Sequence, residues 1–239
     1  MHYHGTPLTP ISALYTMAGR NFCVSFASPQ DVARCHEIGQ SVMLDNGAFT
    51  FWRKGMAPGD WTPYETWAAR WLEYPTTWAV IPDVIDGDED ANDALVAAWS
   101  LPANRSAPVW HMHESLDRLR RLAADWERVC IGSSGRFATP GSTAWSHRMD
   151  DAWNALLPNG GAPTCSVHML RAMKQACEGP WPFASADSTN TAQNHHRHDS
   201  PVRIAERWDA MQAPSQWRPR AQLSLEAAQN GSHGAREAA

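Results

Sequence analysis

The chain has 239 residues, with 20 basic against 25 acidic side chains and a formal charge of -5 with His neutral. At this length a chain buries roughly 70% of the surface its unfolded state exposes, so it needs no disulfide or metal staple to fold. The mild negative charge excludes a protein that coats nucleic acid by bulk electrostatics, since such domains are strongly basic; a local basic channel is still allowed.

Short apolar runs alternate with amphipathic segments along the chain. The runs fall at 22–27, 41–44, 78–82, 108–112, 129–132, 165–169 and 183–186. Each is brief and mostly unalternated, as expected of strands buried on both faces. Ser28-Pro29 predicts a helix start, and Gly39 its end. Thr62-Pro63-Tyr64-Glu65 reads as a capping box. Ser115 predicts the cap of a helix over 116–126, with Leu116, Leu119, Leu122 and Ala123 on one face. Asp86, Asp88, Glu89 and Asp90 read as a solvated acidic helix start, and Ser200-Pro201 opens a last helix to about Met211.

Seven such alternations point to a parallel sheet, either open and doubly wound or closed as a (β/α)8 barrel. Polar residues recur directly after successive strands: Asp45-Asn46, Asp83, His111 and His113, Ser133-Ser134, His168, Asp187-Ser188. Chemistry spread over many strand ends fits the C-terminal rim of a barrel, whereas an open sheet concentrates it at one switch point. The chain has no GxGxxG or Walker A sequence. The reading is therefore a single-domain TIM-type barrel over 1–211 with no zinc subdomain. A polar tail over 212–239 follows, disordered beyond Leu225 on composition.

Five segments carry candidate chemistry. Leu44-Asp45-Asn46-Gly47-Ala48-Phe49 ends a strand on a carboxylate and turns, with Gly47 allowing close backbone approach; as a plain turn it is equally ordinary. Asp83 sits in an apolar run and so needs a partner or a ligand. His111 and His113 share a strand face at a metal-ligand spacing, or are simply hydrogen-bonded histidines. Gly132, Ser133 and Ser134 offer backbone N–H groups to a phosphate or a flat base, or form a flexible loop. Asp187 ends the last clear strand before a polar run that continues into His195, His196 and His198. Two aspartates on separate strand ends suit glycosyl transfer, one attacking the anomeric carbon and the other moving a proton on the leaving group.

The order Asp45-Asn46-Gly47-Ala48-Phe49, Ile81-Pro82-Asp83, Ile131-Gly132, Ser166-Val167-His168-Met169-Leu170 and Asp187 with its Asn/Gln run resembles the tRNA-guanine transglycosylase superfamily. Over about 20–197 it is most similar to the short phage and prophage DpdA-like enzymes, which exchange guanine for 7-deazaguanine bases in DNA. The resemblance implies a (β/α)8 barrel. It implies Asp187 as the nucleophile of a covalent glycosyl intermediate and Asp45 as the general acid/base. It further implies Asp83 on the purine's Watson–Crick edge, Gly132 and Ser133 presenting backbone groups to the base, and Phe49 lining the pocket. His111 or His113 falls near a base-contacting glutamine that this chain lacks, and His168 is grouped with the substrate contacts. Members acting on tRNA carry a CxCxxC…His zinc site and a basic extension. Neither is present here, which points to DNA rather than tRNA, with a 7-deazaguanine base as co-substrate and no cofactor. A duplex target would have to be extruded from the stack, and the charge then requires Arg136, Arg148, Arg171, Arg197 and Arg203 to gather on one rim.

Two other readings stand beside this one: a metal-dependent barrel hydrolase using His111, His113, His168 and an Asp, and a non-enzymatic barrel that binds a base or nucleotide. The five cysteines lack CxxC spacing, which argues for a reduced, cytoplasmic setting; for a phage or prophage relative this is the host cytoplasm. No apolar stretch approaches the ~18 residues of a membrane span, and the first residues have no signal-peptide profile.

Overall fold

The computed structural model describes residues 1–56, 59–197 and 199–220. Its strands are β1 His2–Gly5, β2 Asn21–Ser25, β3 Ser41–Asp45, β4 Thr77–Val80, β5 Ser106–Ala107, β6 Val109–His111, β7 Arg128–Gly132, β8 Ser166–Met169 and β9 Ser185–Ser188. They form one sheet in the order β5-β4-β3-β2-β1-β9-β8-β7-β6, and every pairing is parallel. The two ends of that order, β5 and β6, are separated in the chain only by Pro108. Proline has no N–H to continue a ladder, so one strand is split there. Its first half pairs with β4 and its second with β7. Counting the split strand once gives the eight-stranded, nearly closed α/β barrel that the alternating runs predict.

Side-chain alternation sorts the core into two layers. Outward-facing Phe22, Val24, Val42, Leu44, Ala79 and Ile81 pack under the helices on one side. Val129, Ile131, Val167, Met169 and Ala186 do so on the other, against Trp145 and Trp153. Both tryptophans are fully buried; truncating either to Ala would cost about 3–5 kcal/mol. The inward-facing set includes Tyr3, Cys23, Met43, Trp78, Val80, Cys130 and Leu170. Trp78 Nε1 donates to Tyr3 Oη, and the Arg128 guanidinium lies 4.5 Å from the centre of the Trp78 ring.

Ser115 and Ser200 cap their helices through Arg118 N and Arg203 N, and Asp88 caps through Ala91 N. The Thr62 capping box does not form. Thr62 is already helical, in Thr62–Trp71, and its N–H is satisfied by Asp60 Oδ1 instead. The sequence reading also passes over β1, whose His2 and His4 mask its strand character. In the polar stretch from 212, Trp217 pairs with Gly161 and is buried against Trp153. The stretch beyond Leu225, and His198, lie outside the described residues. All five cysteines are buried free thiols. Among the described residues no helix is long and apolar enough to cross a membrane.

Candidate active site

Inward-facing residues at the C-terminal ends of the strands line a cavity of about 520 Å3. Asp45, Asp83 and Asp187 enter it from three separate strand ends, with His111, Phe49 and Arg171 beside them. A shared cavity for these groups follows from the parallel barrel, which brings all C-terminal strand ends to one rim.

Asp45 closes β3 opposite Ser25 on β2. Its carboxyl is pushed up to about 6, chiefly by burial; a Ser25 hydrogen bond opposes this, while the nearby Asp187 and Asp83 charges add to it. The following turn is tightly built. Gly47 has φ +79, donates its N–H to Asp45 Oδ2 at 3.1 Å, and would bring a Cβ to 3.0 Å from Ala27 N. Its glycine character therefore serves the turn and its packing, where the sequence reading has it admitting a ligand. Buried Asn46 donates to Ile81 O at 2.8 Å and to Asp83 Oδ1 at 2.7 Å, tying the ends of two strands together.

Asp83 is 7% exposed. His111 Nε2 stands 2.9 Å from its Oδ2, yet neither His111 nitrogen makes a hydrogen bond of acceptable geometry. A buried imidazole with both nitrogens unspent is costly without a ligand. Of the two paired histidines only His111 lines the cavity. His113 lies past the end of β6, with Nδ1 2.7 Å from Ser134 Oγ and Nε2 2.9 Å from Gly87 O. The two rings stack with centroids 5.8 Å apart and do not aim at a common point. Among the described residues no group of three or more His, Cys, Asp or Glu is arranged to hold a metal ion.

Asp187 is 5% exposed and is the penultimate residue of β9. Its Oδ1 accepts from Arg171 N at 2.9 Å and lies 3.2 Å from His168 Nε2. His168 is wholly buried and does not line the cavity, which corrects its placement among the substrate contacts. Strand alternation turns it into the barrel beneath Asp187, where Nδ1 reaches Ser185 Oγ at 2.8 Å. Burial lowers its basicity, against the pull of Asp187.

Gly132 and Ser133 also fall outside the carboxylate cavity. Gly132 faces inward, and a Cβ there would meet His111 Nδ1 at 3.0 Å; its role is to leave room for that ring. Ser133 accepts from Trp145 Nε1 at 2.9 Å and lines a neighbouring cavity instead. Phe49, on the helix Ala48–Arg53, does line the carboxylate cavity.

The expected arginine rim is only partly present. Arg148 is committed to Met112 O and Glu114 O, and Arg203 to Asp199. Arg171 does reach the cavity, at φ +60, the one positive φ among the described non-glycine residues. Such a conformation costs about 1 kcal/mol or more and clusters at functional sites. Here it aims the backbone N–H at Asp187 and lays the guanidinium 3.5 Å from the Phe49 ring centre. Arg53 and Lys54, which the sequence reading passes over, line the same cavity. A basic pair directly after an aromatic run, Phe49 to Trp52, was the available signal. Of the histidines after Asp187, His195 is engaged elsewhere, bonding Thr191 O and Thr9 O.

A scan against protein-family models, a search of curated proteins and a search of solved structures each find no match to this chain.

Proposed function

We propose that this barrel is a base-exchanging transglycosylase that replaces guanine in DNA with a 7-deazaguanine derivative. The observation that carries the reading is the convergence of Asp45, Asp83 and Asp187 in one cavity, in three different settings. Asp187, oriented by Arg171 N and His168, is the nucleophile. Its carboxylate attacks C1′ of the nucleotide as the C1′–N9 bond breaks, and the electron pair leaves with guanine. Asp45, whose pKa is raised to about 6 so that its acid form stays accessible near neutral pH, delivers a proton to the departing base. The incoming base returns a proton to Asp45 as its N9 attacks C1′ and the Asp187 ester bond breaks. Atoms and charge balance, and two inversions retain the anomeric configuration.

Asp83 is acceptor-only when ionised and complements the N–H donors on guanine's Watson–Crick edge. His111, with Nε2 2.9 Å from Asp83 Oδ2, lines the same cavity. Arg53, Lys54 and Arg171 form no ion pair within 4.0 Å among the described residues, which suits an anionic, phosphate-bearing donor over an acidic floor. In this way a chain of net charge -5 can still bind nucleic acid.

Nucleoside mass analysis of DNA from cells with and without the gene tests the reading. A deazapurine nucleoside that appears only with the gene is expected. Identical nucleoside profiles under expression of folded protein would contradict it.

A further inference from the structure

A second cavity, of about 450 Å3, adjoins the carboxylate cavity and shares Phe49, Arg53, Ile85, Leu170 and Arg171 with it. The helix Ala48–Arg53 builds the boundary. Phe49, Trp52 and Arg53 recur at i, i+3 and i+4, so they share one face. Trp52 is 44% exposed, an unusual setting for the largest side chain. It is nevertheless fixed in place, since its Nε1 donates to Asp86 Oδ2 and its ring stacks on Phe49 with centroids 5.6 Å apart and planes at 30°. A continuous aromatic layer therefore runs from the carboxylate cavity into its neighbour. Arg53 and Arg171 stand at the boundary between the two, free of ion pairs within 4.0 Å among the described residues.

We propose that this adjoining cavity seats the nucleotide next to the reacting one. Its base stacks on Trp52, and the intervening phosphodiester lies against Arg53 and Arg171. The substrate is then a polynucleotide strand, opened at this point, and not a free nucleoside. Aromatic faces interleaved with unpaired cations are the chemistry that single-stranded nucleic acid requires. A purely apolar ligand would leave Arg53 without an anionic partner among the described residues. The inference rests on the base-exchange reading for the identity of the reacting nucleotide.

The test compares binding of the single-stranded trinucleotide d(TpGpT), its ribose counterpart and 2′-deoxyguanosine 5′-monophosphate to the full chain. The trinucleotide is expected to bind about tenfold tighter than the mononucleotide, as one stacked base contributes. Trp52→Ala should remove that advantage and barely move mononucleotide affinity, while Trp52→Phe should keep most of it. Arg53→Gln should reduce the salt dependence of trinucleotide binding by about one counterion. Preference for the ribose strand would change the sugar and leave the seat in place. Equal affinities for strand and mononucleotide, equal weakening of both by Trp52→Ala, or no binding of any of the three would overturn the proposal. The two readings fail separately. Length-independent binding with exchange lost in Asp187→Asn removes only the neighbouring seat. Trp52-dependent strand binding with no base exchange by the unmodified chain removes only the reaction.

Discussion

Asp45 and Asp209 sit at opposite ends of the same barrel, and the protein treats them in opposite ways. At the lower end Asp209, the last residue of helix Pro201–Asp209, would be pushed up by its burial. Hydrogen bonds from His2, His4 and Arg20 instead hold its carboxyl well below the usual range. Those partners lie on or beside β1, so the acid clamps the last helix to the sheet. At the upper end Asp45 is pushed up to about 6, chiefly by burial, with two neighbouring carboxylates adding to the rise. The lower end ties its acid to Arg20 and two histidines for stability, and the upper end gathers three buried acids with no Arg or Lys ion pair within 4.0 Å among the described residues, as catalytic sites do.

The sharpest way to break this contrast is Asp187→Asn. Exchange should fall by about 10³-fold or more, while the melting temperature holds or rises because one of three clustered negative charges is gone. A collapse of stability in that variant would make Asp187 a structural acid like Asp209. Asp45→Asn should lower the rate by about 10²–10⁴-fold. It should also change the pH dependence of folding. The folded pKa of Asp45 lies above its unfolded value, so the native state binds the extra proton between about pH 4 and 6, and stability is lost as pH rises through that window. The penalty at pH 7 is on the order of 2–3 kcal/mol, and urea melts at pH 4 and pH 7 should show Asp45→Asn relieved of it.

His168→Gln acts through Asp187, so kcat should drop about 10- to 100-fold with KM nearly constant. A change confined to KM would place the imidazole in substrate binding after all. The smallest effect belongs to the lower end. Asp209→Asn should cost about 1–2 kcal/mol, discounted for its partial exposure, or roughly 3–6 °C in melting temperature. Exchange per folded molecule should be unchanged. Because the folded pKa of Asp209 lies below its unfolded value, this contribution is present above about pH 4 and is lost as pH falls toward the folded pKa.

Much of the upper end was legible in the sequence because the barrel gathers strand ends. Asp45, Asp83 and Asp187 could be found as carboxylates that terminate apolar runs. The hidden parts depend on partners far along the chain. β1 is masked by His2 and His4, whose burial makes sense only beside Asp209, about two hundred residues away. His168 and Gly132 sit at inward positions, but alternation alone does not say whether an inward side chain reaches the cavity or stops beneath it. The spacing of His111 and His113 suits one strand face, but β6 ends at His111, two residues before His113. Arg171 needed a left-handed backbone that no residue type announces. Of the arginines that the charge argument gathers on one rim, Arg171 reaches the cavity, while Arg148 and Arg203 are committed elsewhere.

The most direct measurement is intact-mass spectrometry of the protein incubated with a guanine-containing single-stranded oligodeoxynucleotide and no incoming base. The expected result is a mass gain equal to the strand less guanine, mapped to Asp187 and absent in Asp187→Asn. Base exchange that proceeds with no such adduct, or an adduct on another residue, would contradict covalent catalysis by the carboxylate at the end of β9.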